Sequence, residues 1–91
     1  MPHVDGLRNL QRALGAQLRA FRTLRGWTQE ALAGRADLAP RHLQKVEAGE
    51  VNVTLCTLWR LASALGVDVT ELFPGAPGRD RLAVNAAADA D

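Results

Sequence analysis

The chain has 91 residues with 11 Lys/Arg against 10 Asp/Glu, room for one domain and no net basic pull toward nucleic acid. Its one cysteine, Cys56, excludes an internal disulfide and a cysteine-rich zinc site and fits a reducing cytosol. No apolar run approaches the roughly 20 residues that span a bilayer, and MPHVDGLRN lacks a signal-peptide core, so a cytoplasmic protein without membrane contact is expected. Abundant alanine, leucine and arginine with no tyrosine favours helices over strands, and a core this small stands to gain from a partner chain.

From Leu7 to Arg25 apolar residues recur at 7, 10, 14, 18 and 21, a helical period with Asp5 as candidate N-cap and Gly26 closing it. Gly15 weakens its middle, so residues 1–13 are set apart as an N-terminal arm or helix extension. Thr28 caps a second helix through Ala36, with Glu30 suiting its positive end. Asp37-Leu38-Ala39 then makes a tight turn, because Asp tolerates left-handed geometry. A third helix starts at Pro40 and is stopped by Gly49. A loop leads to Thr54, cap of a fourth helix, with Val53 and Leu58 at the hydrophobic-staple positions. That helix is expected to turn Leu55, Leu58, Leu61, Ala62 and Leu65 inward and to end at Gly66. Asp68 and Glu71 form a capping box for a short fifth helix. Residues 14–73 make the domain. The remainder, 74–91, is rich in Gly, Pro and small residues and reads as a flexible tail.

Charge is uneven along the chain. Residues 1–45 carry eight Lys/Arg against three acids (+5), and residues 46–91 carry three against seven (−4). This fits a basic face turned to an anion and equally fits ordinary solvated helix faces.

The third helix is the most informative segment. Leu43 and Val46 face the core, while Arg41, Gln44, Lys45 and Ala48 share the opposite face at i, i+3, i+4 and i+7. Such a face can enter a DNA major groove. Arg41 suits guanine, Gln44 suits adenine, and Lys45 reaches guanine or phosphate. His42 flanks the face within reach of a phosphate. Taken alone, the face is also what many solvated helices show.

Helices two and three around a three-residue turn make the helix-turn-helix arrangement. The segments LGAQLRAFRTLRGWTQEALA, LAPRHLQKVEAG and NVTLCTLWRLASALGVDVTELF, from Leu14 to Phe73, resemble the phage-repressor-like (Cro/repressor, XRE) helix-turn-helix family in order and spacing. The resemblance implies an all-α, compact five-helix bundle of the lambda-repressor-like kind. It also implies no cofactor and a homodimer on double-stranded DNA, with its two third helices in successive major grooves. By position, Arg41, Gln44 and Lys45 would read bases, and Thr28, Gln29, His42, Asn52 and Thr54 would lie against the DNA backbone. An Arg22–Glu47 ion pair is implied as well. It would offset the unfavourable place of a carboxylate in the last turn of helix three. Three departures stand out: Ala39 replaces a usual Ser or Thr cap, Asp37 a frequent turn glycine, and Glu50 and Val51 fill loop positions that are often basic.

Val67, Val69, Leu72 and Phe73 form a candidate dimer surface, since apolar residues cluster there beyond the needs of one small bundle. Trp27, before the helix-two cap, is expected to make a staple-like core contact, and Trp59 to pack in the core rather than in an interface. Cys56 reads as an inert surface or half-buried thiol. His3 and His42 lack companions for a metal site, and Ser63 has no histidine at useful spacing, so neither metal binding nor catalysis is indicated. The reading is a transcriptional regulator, a repressor or autoregulated controller, on a near-palindromic operator in the nucleoid. The alternative is an antitoxin-like or adaptor helix-turn-helix whose main partner is a protein, engaged through the tail.

Overall fold

The computed structural model describes residues 2–73, with side chains from residue 6 onward. It is all-helical, with no strand among the described residues. The elements are α1 (Pro2–Leu24), α2 (Gln29–Ala36), α3 (Pro40–Glu47), α4 (Leu55–Leu65) and a 3₁₀ helix (Val69–Leu72). The fifth helix of the sequence reading is thus a single 3₁₀ turn. The tail, 74–91, lies outside the described residues.

Local chemistry sets most boundaries. Thr28 accepts the Ala31 N–H at 3.0 Å and Thr54 the Thr57 N–H at 3.1 Å, so each satisfies a donor that its helix leaves unpaired. Asp37 takes the left-handed conformation (φ 58°) that ends α2, and the Leu38 N–H closes back on the Ala33 carbonyl at 2.8 Å. Ala39 supplies no side-chain cap, and Pro40 begins α3 with its φ already helical. The Asp68–Glu71 capping box forms, with the Asp68 N–H on Glu71 Oε2 at 2.9 Å. Hydrogen bonds from the backbone N–H and hydroxyl of Thr70 hold the Asp68 carboxyl below its ordinary pKa.

The core joins every element. Leu18, Leu32, Leu43, Leu61 and Leu72 are fully buried, each contributing about 1.5–3 kcal/mol. Leu14, Ala33, Ala36, Val46, Leu58, Ala62 and Leu65 complete it, and Leu38 and Trp27 pack on its margin. Helix α3, at eight residues, is too short to persist alone, so its position depends on what Leu43, Val46 and Glu47 touch.

Several expectations are corrected. Helix α1 begins at Pro2, so Asp5 lies inside it rather than at its cap. Gly15 is a contact point and not a weak point. A Cβ there would come within 2.6 Å of the Val46 carbonyl oxygen and closer still to that of Glu47, so only glycine lets α1 meet the end of α3. Leu55 is 80% exposed. It shares the phase of the buried residues but is the first residue of α4, where side chains tilt past the helix end into solvent. Trp59 is 63% exposed because it is one residue off the inward face, beside Arg35, Asp37 and Arg60 at the α2 end. Leu72 is fully buried and has no surface to give a dimer, while Val67, Val69 and Phe73 are half-buried. Cys56 is exposed.

Candidate nucleic-acid interface

Arg22 is the side chain that fixes α3. Its Nε donates to Glu47 Oε2 at 2.8 Å, Nη2 to Glu47 Oε1 at 3.0 Å, and Nη1 to the Trp27 carbonyl at 2.8 Å. The geometry is bidentate, and the two side chains are 11% and 4% exposed. Gln29, at the start of α2, donates to Glu47 Oε1 at 3.0 Å. One carboxylate at the end of α3 is therefore gripped from α1 and α2 together. The ion pair expected from the resemblance is present, and no buried side-chain polar atom among the described residues lacks a partner.

With Glu47, Leu43 and Val46 committed inward, the opposite face of α3 is free. Arg41, Gln44, Lys45 and Ala48 are all exposed, and His42 is half-buried at their side. Spacings of three and four residues place neighbours about 5–6 Å apart, giving a narrow face of N–H donors with a small residue at its far end.

The other sequence-predicted residues flank this face with part of their hydrogen-bonding capacity already used. Gln29 keeps one amide N–H and its oxygen after bonding Glu47, and Thr28 keeps its hydroxyl proton while accepting from Ala31. Asn52 accepts from Gln11 Nε2 at 2.6 Å, which leaves its own amide donors. Thr54 is more committed, since it accepts from the Thr57 N–H and donates to the Thr57 hydroxyl. Glu50 is exposed in the loop after α3.

Sequence reasoning missed what stiffens the entry to α2. The Arg35 guanidinium lies 4.1 Å from the centre of the Trp27 ring, and Arg25 lies 6.0 Å from it. Arg25 also donates to the Phe21 and Leu65 carbonyls, tying the end of α1 to the end of α4. The eight-residue separation of Trp27 and Arg35 carried no helical signal, because Trp27 lies outside α2.

A short helix, a tight left-handed turn and a second helix with a donor-rich face, locked from behind by a buried ion pair, define a helix-turn-helix DNA-binding domain. The chain belongs to the HTH_3 family, described as "Helix-turn-helix", whose model matches residues 18–72. It is 33% identical over 79 residues to a hypothetical transcription factor of Neisseria meningitidis serogroup B, covering 87% of this chain and 74% of that one. It is 36% identical over 74 residues to control protein C.SmaI of Serratia marcescens, covering 80% and 88%. The structure of the restriction-modification controller protein C.AhdI from Aeromonas hydrophila superposes with a TM-score of 0.68 at 38% identity, covering 69% of this chain and 96% of that one. The protein is a DNA-binding helix-turn-helix transcriptional regulator. No helix among the described residues is long and apolar enough to cross a membrane.

Proposed function

We propose that the protein binds a near-palindromic operator as a homodimer. The observation that carries this reading is the free face of α3. In each subunit Arg41, Gln44 and Lys45 read base edges, and Thr28, Gln29, His42, Asn52 and Thr54 fix the register on the phosphates. The two α3 helices lie about 34 Å apart, one DNA turn. The Glu47 clamp supports this role, because a reading face helps only if its helix is held rigidly.

Self-association draws on Val67, Val69 and Phe73, which keep part of their apolar surface, without the buried Leu72. Similarity to control protein C.SmaI and to the restriction-modification controller protein C.AhdI favours a controller role.

The test is repeated selection of duplexes from a random pool, followed by anisotropy at two salt concentrations. Enrichment of an inverted repeat, with a stoichiometry of two chains per duplex, is the expected result. Failure of any sequence to enrich would overturn the operator reading. It would turn attention to a protein partner engaged through residues 74–91.

A further inference from the structure

We propose that a row of arginines on α1, formed by Arg8, Arg12 and Arg19, is a second DNA-backbone contact beside the C-terminal end of α3. The proposal rests on the DNA-binding reading above and adds residues that lie outside the helix-turn-helix.

At 3.6 residues per turn the three fall within about 40° around the helix axis, and Gly15 lies in the same row. Gly15 is the residue whose missing side chain lets α1 abut the Val46 and Glu47 carbonyls. Arg12 and Arg19 therefore straddle the end of the reading helix, at distances along α1 of about 4–6 Å from the crossing. Arg12 is placed further by the loop. A Cβ at Gly49, the residue after the last of the α3 face, would lie 2.8 Å from the Arg12 Cα. Arg8, one turn on, lines with Arg12 a polar cleft against Gly49 and Glu50.

Two features separate this row from an ordinary solvated face. All three arginines are exposed, and none forms an ion pair with a described acid, Glu50 included. In addition, α1 carries four arginines, of which Arg22 is paired with Glu47, against a single acid, Asp5, before the first of them. Solvated helices mix signs because like charges at i and i+4, such as Arg8 and Arg12, repel. A row with three cations against at most one acid keeps an excess of positive charge, which an external anion relieves. A polyanion is the one that the DNA-binding reading supplies, and it would have to meet the row past Glu50, which lines the same cleft. The rival role is local: the row could merely offset the carbonyl end of α3.

Salt dependence distinguishes the two. The triple variant Arg8→Gln/Arg12→Gln/Arg19→Gln is titrated with a labelled random-sequence duplex and with the selected duplex, and its thermal unfolding is followed in parallel. Each lost phosphate contact reduces the slope of log affinity against log salt by about 0.9. The triple variant should therefore lose about 2.7 of slope, and its fall in affinity between about 50 and 200 mM salt should shrink about 40-fold. Base preference should be unchanged, and the corresponding triple lysine variant should keep the wild-type slope. A wild-type slope in the glutamine variant overturns the proposal, and a lowered melting temperature with that slope assigns the row to α3 instead. Should the triple variant not fold, the three single variants carry the same comparison. If wild-type protein binds the random duplex but enriches no motif, the operator reading fails while the slopes still judge the arginines. If wild-type protein binds no duplex, both fall.

Discussion

Replacing Arg22 with methionine leaves the Glu47 carboxylate, 4% exposed, with the Gln29 amide as its one remaining side-chain partner among the described residues. Three hydrogen bonds disappear at once, two to the carboxylate and one to the Trp27 carbonyl. Orphaning one member of a buried ion pair costs about 3–5 kcal/mol. A domain of this size has a total stability of about 5–15 kcal/mol. At about 4–8 °C per kcal/mol, the melting temperature should fall by at least about 12 °C. Replacing both partners, Arg22→Met with Glu47→Leu, removes the uncompensated charge. Buried pairs exchanged for apolar residues of similar volume are often neutral or better. Recovery here should be incomplete, because the Trp27 carbonyl and the Gln29 amide each lose a partner, at about 1 kcal/mol apiece. Thermal and urea unfolding of wild type, both single variants and the double variant close the cycle, with a coupling energy of about 2 kcal/mol or more expected. The reasoning fails if the single Arg22 variant costs less than about 1 kcal/mol or the double variant is no more stable than it.

Two glycines in helices should respond with opposite signs. Gly15→Ala forces α1 away from the α3 carbonyls and should destabilise by about 1–3 kcal/mol, whereas Gly34→Ala, with open space around it, should stabilise α2 by about 0.4–1 kcal/mol, both read by urea unfolding. On DNA, Arg41→Ala should weaken the selected duplex by about 1–3 kcal/mol and relax the motif at one base pair per half-site. Repeating the selection with the variant checks both effects, and an unchanged motif would remove Arg41 from the reading face. The lowered Asp68 pKa means that the folded state binds that proton less readily than the unfolded chain. Its stabilisation is present above the ordinary aspartate value near 3.8 and is lost as pH falls through the lower folded value. Asp68→Asn, which keeps a good cap, should flatten the acid limb of the melting-temperature profile, and an unaltered limb would contradict the assignment.

What the sequence made legible was chemistry acting over three or four residues. Thr28, Asp37, Pro40, Thr54 and the Asp68–Glu71 box each reveal themselves within one turn, so the order of elements and the turn between α2 and α3 follow directly. Leu55 and Trp59 depart from expectation because periodicity gives a residue's phase and not whether a neighbour covers that part of the helix. The intrinsic propensity of Gly15 says nothing of its use, which is tertiary and depends on carbonyls more than thirty positions away. Leu72 is buried although it belongs to a surplus of apolar residues, because such a surplus can be counted without knowing how deeply one small core can absorb it. Arg22 follows Leu18 by one helical turn, at the edge of an apolar face. Pairing it with Glu47, 25 residues on, needed the family pattern.

Within α3 itself, the residues that hold the helix and those it presents do not overlap. Leu43, Val46 and Glu47 meet the rest of the protein, while the side chains of Arg41, Gln44 and Lys45 form no ion pair among the described residues and stand in solvent. Surface substitutions at such positions usually change stability by no more than about 0.5 kcal/mol. Mutation can therefore rewrite the outer row one letter at a time without passing through unfolded intermediates, and the same freedom is open to an engineer grafting a different preference onto this scaffold. Divergence among duplicated copies would then begin at three solvent-facing codons, with the frame behind them left alone.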